Sequence, residues 1–295
     1  VIASITNANS LETATAEMNG GSVTTNQVGA NGVYALNTGK GAAKAKLTGG
    51  AIETFGASAR GLFSNVSNVG SNATSSATME GGSITTKGGR GDAIYAANSG
   101  SGAAEAFFHD GSIETNGDAA YGIYVSNTGT GDATATMTGG DLSTKGEASM
   151  AVLASIGNVA SSATAMASME DGTITTIKRG SHGLHVTSKS GSGDSVAKLS
   201  GADSTITTSG YDSDGLFTFI GGAATTGTSE ITMDAGKIAL NGDISTGLNA
   251  RTEGLGDATV TMNGGTITTR GTSVFNRADR ADGILAYINN TGDTG

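Results

Sequence analysis

The residues able to do chemistry in this chain are few and scattered. Arg90-Gly91-Asp92 matches the tripeptide that integrins recognise, and it falls in a corner between two strand-forming stretches, where a turn is expected to expose it. Gly-Asp recurs in the next repeat's corner as Gly117-Asp118, so the repeat pattern also generates the tripeptide by itself. The chain has 3 His (His109, His182, His185) and 0 Cys, which excludes disulfides, zinc–thiolate sites and cysteine nucleophiles and leaves little for a transition metal. His182 and His185 read as surface residues near a corner. Glu53, Glu105 and Glu114 stand alone on Ser/Thr-rich faces, whereas glycoside cleavage needs paired carboxylates or a partnered acid and base. Gly193-Asp194-Ser195 matches a serine-protease triplet but lacks the glycine that should follow. No catalytic residue, metal or cofactor is expected.

Three surfaces remain as binding candidates. Tyr34, Phe63, Tyr95, Tyr124, Leu153, His185 and Phe217 recur at one repeat position, each directly after an aliphatic residue. In a strand they point away from it and form an external aromatic ladder, able to bind sugars or a flat partner or simply to stabilise stacking. The longest interruption of the repeat lies around Thr272–Arg280, where Phe275, Asn276, Arg277 and Arg280 suit recognition of a protein or glycan, or mark a tolerated insertion. Thr173/Thr175, Thr205/Thr207 and Thr266/Thr268 form a hydroxyl array like that of ice-binding solenoids, but Glu53, Glu114, Asp141 and Lys237 interrupt its flatness.

These residues must be positioned by a repeated element. An apolar anchor recurs at Met18, Leu47, Met79, Phe108, Met137, Met169, Leu199, Met233 and Met262, at spacings of 29 to 34 residues. A second aliphatic column runs Val33, Leu62, Ile94, Ile123, Val152, Leu184, Leu216, Leu248 and Ile284. The stretch from first column to second has nearly constant length, so the extra residues are expected in the return turn. Each repeat holds three short stretches of period-two alternation, such as Ala133-Thr134-Ala135-Thr136-Met137, bounded by glycine-rich turns. Three strands every ~30 residues cannot bury their apolar side alone, but stacked coils can. The expected fold is all-β: one parallel β-solenoid over residues 1–295, of about ten coils with three strands each. Val1 enters partway through a repeat and Gly295 leaves one unfinished, so the chain reads as a fragment.

The composition agrees. Of 295 residues 49 are Gly and none is Pro, giving tight corners while every residue keeps its backbone donor. A net charge of −10 excludes a nucleic-acid binder that must neutralise phosphates, and no apolar run is long enough to insert in a membrane.

The repeated Met/Leu-x-Gly-Gly-x-Ile-x-Thr-x-Gly, followed by Ala/Gly-Ile-Tyr-Ala and free of Pro and Cys, resembles passenger domains of Gram-negative autotransporters, the pertactin-like group, over essentially the whole chain. The resemblance implies a right-handed, single-stranded parallel β-helix, exported via the periplasm, secreted through a C-terminal β-barrel and displayed on the cell surface. It also favours use of Arg90-Gly91-Asp92, a tripeptide that members of that group carry. The implied role is a non-enzymatic adhesin, self-association module or receptor ligand whose partner is a host or bacterial surface protein or glycan. A β-helix polysaccharide lyase or tailspike-type hydrolase, a passive stalk and an ice-binding solenoid are the alternatives.

Overall fold

The computed structural model describes residues 1–189, 191–271 and 282–289. Each coil contributes one strand to each of three parallel sheets, which we call the first, second and third faces in chain order. Ala133–Met137, Asp141–Thr144 and Val152–Ile156 are one such set. Among the described residues the third face has ten strands and the other two nine each, and every strand between the ends of a sheet pairs with its equivalents in the coils before and after. The solenoid inferred from the repeat is thus the observed fold, with about nine complete turns and no helix among the described residues.

Alternation of small or β-branched apolar residues with polar ones places every second side chain inside. Leu47, Met79, Phe108, Met137, Met169, Leu199 and Met233 are fully buried in the first-face ladder, as are Val33 through Leu248 in the third-face ladder. Met262 and Ile284, on the last described strands of their sheets, are 38% and 50% exposed, no further described strand pairing on that side. Pairing stays in register throughout, for example Ile94 with Ile123 and Met137 with Met169.

Register survives unequal repeat lengths because extra residues sit mostly in the turn from third face to first. That turn is residues 38–42 in one coil and 67–74 in the next. One insertion departs from the expected place: residues 200–204 widen the corner from first face to second. Elsewhere that corner is a tight turn with a glycine at positive φ, such as Gly50 (φ 94°) and Gly111 (φ 105°). A Cβ at Gly50 would lie 2.4 Å from the Gly21 carbonyl oxygen of the coil below, so neither the angle nor the space admits a side chain.

Candidate functional site

On the outward side of the third face, strand alternation brings Tyr34, Phe63, Tyr95 and Tyr124 into one line. Their ring centroids are 4.6, 5.0 and 4.7 Å apart and nearly parallel, the spacing that stacked parallel strands impose. The rings stack face to face and are largely covered by one another, with Phe63 only 7% exposed. The expected ladder therefore exists over these four residues. Phe217 does not continue it: Leu153 interrupts, and Phe217 packs instead against His182 (5.1 Å) and His185 (4.8 Å).

Beside the ladder runs a second column that the sequence pattern alone does not single out. Asn31, Arg60, Asp92, Tyr121, Met150, His182, Asp214 and Thr246 each lie two residues before a third-face aliphatic residue, at the corner where the chain leaves the second face. That constant offset was the available signal. It was hidden because the eight side chains share no chemical type. Several share a structural role instead, in which each acceptor caps the backbone N–H of its counterpart one coil later. Asn31 Oδ1 accepts from Arg60 N, Asp92 Oδ1 from Tyr121 N (3.1 Å), His182 Nδ1 from Asp214 N (2.9 Å) and Asp214 Oδ1 from Thr246 N (2.6 Å).

Arg60 and Asp92 form the central pair of this column. Arg60 Nε donates to Asp92 Oδ2 at 3.3 Å, and the guanidinium lies over the rings of Phe63 (4.6 Å) and Tyr95 (4.4 Å). Burial pushes the Asp92 carboxyl up to about 6, against the opposing pull of the Tyr121 N–H and the Arg60 charge. Burial likewise pushes the Tyr95 hydroxyl up to about 12. Ser58, Arg60, Arg90, Asp92, Ala119, Tyr121 and Tyr124 line an open groove of about 390 Å³ there.

This geometry corrects the expectation of an exposed Arg90-Gly91-Asp92 loop. Arg90 is exposed, at φ 58°, but Gly91 is buried and Asp92 is 3% exposed, its carboxylate committed to Tyr121 and Arg60. An integrin-type partner needs a free aspartate, and the corner turns this one inward to cap the next coil. The histidines are corrected in the same way. The His182 side chain is 12% exposed, and desolvation pushes both His182 and His185 below the usual imidazole range. Phe275, Asn276, Arg277 and Arg280 lie outside the described residues.

The other candidates do not assemble into chemistry. Glu53 and Glu114 pair with Lys87 and Lys145 on the outward second face, and Glu105 stands alone on the first. Ser195 is buried with its hydroxyl on the Phe219 carbonyl, and Asp194 accepts from Thr228 N, so no nucleophile is presented. The threonine array does align, Thr173 with Thr205 and Thr175 with Thr207, before Lys237 and Ala239 break it. Among the described residues no group of three His, Asp or Glu side chains is placed to hold a metal. Comparison with protein-family models, with curated proteins and with solved structures found no match to this chain.

Proposed function

We propose that the chain is a rigid rod of the autotransporter-passenger kind, displayed on a bacterial surface and non-enzymatic, which recognises a surface protein or glycan side-on through its outward third face. The observation that carries this reading is the aligned aromatic ladder Tyr34, Phe63, Tyr95 and Tyr124 with Arg60 and Asp92 beside it. Large rings, a stacked guanidinium and a groove coincide there. The ring faces pack on one another, so the ladder presents ring edges and the hydroxyls of Tyr34, Tyr95 and Tyr124 beside a guanidinium, a mixed apolar and polar surface of the kind that sugars and protein surfaces bind. The Cys-free, Pro-free repeat and its resemblance support the secretion class. A polysaccharide-cleaving role has less support, because Asp92 is the one carboxylate lining the groove and acid–base glycoside cleavage uses two.

The test is binding of the purified chain to intact bacterial and host cells, with sedimentation to follow self-association. Replacing Tyr34, Tyr95 and Tyr124 together by serine keeps the strands, since all three project outward, and should weaken binding by about tenfold or more. Unchanged binding with an intact β-type circular-dichroism spectrum would leave the rod a passive stalk.

A further inference from the structure

We propose that the groove beside Arg60 and Arg90 is a subsite for a carboxylate-bearing sugar, a uronic or sialic acid residue within a glycan. The inference rests on the recognition reading above and narrows it to one ligand chemistry.

Three features of the groove point to this ligand. The first is its size and walls. Ser58, Arg90 and Ala119 come from three consecutive coils, so the groove runs roughly 10 Å along the rod, with Tyr121 and Tyr124 as its aromatic side at 5.2 Å and 73° to each other. A volume of about 390 Å³ with aromatic walls accommodates one or two sugar rings.

The second feature is charge. The chain carries −10 overall, and on its other outward flanks four of the nine lysines are matched with carboxylates: Lys46 with Glu80, Lys87 with Glu53, Lys145 with Glu114 and Lys198 with Asp234. Here two arginines meet a single buried aspartate. Asp92 takes only the Nε of Arg60, and its other oxygen is held by the Tyr121 N–H. The terminal nitrogens of Arg60 therefore remain for a ligand, while Arg90 is exposed and forms no ion pair among the described residues. An arriving carboxylate balances the second positive charge.

The third feature is preorganisation. Phe63 and Tyr95 stack on the Arg60 guanidinium and fix its plane, and Asp92 fixes its rotation. The left-handed backbone at Arg90, shared by Ser58 and Ala119 on either side, sets the direction in which that side chain leaves the corner. A planar, held fork is suited to a carboxylate in a way that a lysine ammonium is not. A neutral sugar would use the tyrosine walls and leave both forks to water. An extended polyanion such as nucleic acid would be repelled by the rest of the chain.

The experiment is titration calorimetry of the whole chain with digalacturonic acid, sialyllactose and lactose. At least one acidic sugar should bind, lactose about tenfold or more weaker, and added salt should weaken the acidic ligand selectively. Arg90→Ala, at an exposed corner residue with no partner to strand, should cost about tenfold in affinity for the acidic sugar and nothing for lactose, with Arg90→Lys recovering only part. Whichever of uronate and sialate binds identifies the acid. Equal affinity for acidic and neutral sugars, an Arg90→Ala variant that binds as well as the parent, or no binding of either acid would each overturn the proposal. If the acidic sugars fail while the triple-serine ladder variant still loses cell binding, the subsite falls and the recognition reading stands. If neither experiment shows a difference, both fall.

Discussion

Asp92 sits where its charge is costly, with one oxygen capping the Tyr121 N–H and the other taking Arg60 Nε. Its carboxyl titrates near 6 in the folded chain, against about 3.9 in an unfolded one, so between those values the folded chain holds a proton that the unfolded chain has released. Stability from this group is therefore full below about pH 4 and is lost as the pH rises through 6, by about 3 kcal/mol at most. Asp92→Asn removes the titration and keeps an acceptor. The difference in urea midpoint between parent and variant should shift in favour of the variant from pH 5 to pH 7.5, and a pH-independent difference would contradict the assignment. His182, His185 and Asp214 titrate as well, but lie at least three coils away, roughly 14 Å along the rod, and cancel in the difference. The same residue shows why the tripeptide misled. Its sequence is that of an exposed loop, while its place in the column makes the aspartate a cap.

At the scale of the coil, turn length goes with the last inward residue of the third-face strand. Where that residue is Asn37, Asn98 or Asn127, the turn that follows is short, as in residues 38–42, 99–103 and 128–132. Each asparagine donates from Nδ2 to two carbonyls and accepts at Oδ1 from the backbone N–H two residues on. For Asn127 these are Gly102 O, Asp132 O and Gly129 N. After Val66, Ile156 and Ile220 the turn is longer and supplies its own satisfaction, as when Asn68 Oδ1 accepts from Gly70 N or Asn158 Oδ1 from Ala160 N. The equally short turn 253–257 follows Thr252, whose buried hydroxyl accepts from Gly254 N, so a buried polar side chain, most often an amide, replaces the polar work that extra residues do elsewhere. Asn127→Ala strips partners from two carbonyls and one N–H at a fully buried site and should destabilise by about 3 kcal/mol in equilibrium denaturation. A loss below about 0.5 kcal/mol would mean that the short turn holds without it.

For the whole molecule, stacking rather than a closed core sets what is tolerated. Each coil meets only its neighbours, so tolerance to insertion should follow place in the coil instead of distance from an end. One alanine inserted between Thr134 and Ala135 reverses the inward set of that strand, turning Thr134 towards the core, and should abolish cooperative folding. The same insertion within residues 67–74, a turn whose equivalents already differ in length, should leave the melting midpoint within a few degrees. A reversed ranking by thermal denaturation would contradict the in-register stack. Two legible columns recurring about every thirty residues were enough for the sequence to determine this architecture, since alternation selects strands and a repeat too small to bury its own apolar side must stack. The aromatic ladder was legible for the same reason, being one position out of phase with an aliphatic column. The Arg60–Asp92 pair, the inward turn of Asp92 and the pairing of Arg90 with Arg60 across one groove were decided only by the tertiary structure. Each depends on how a corner directs side chains relative to the coil above it, and a corner, unlike a strand, has no fixed alternation from which that direction can be read.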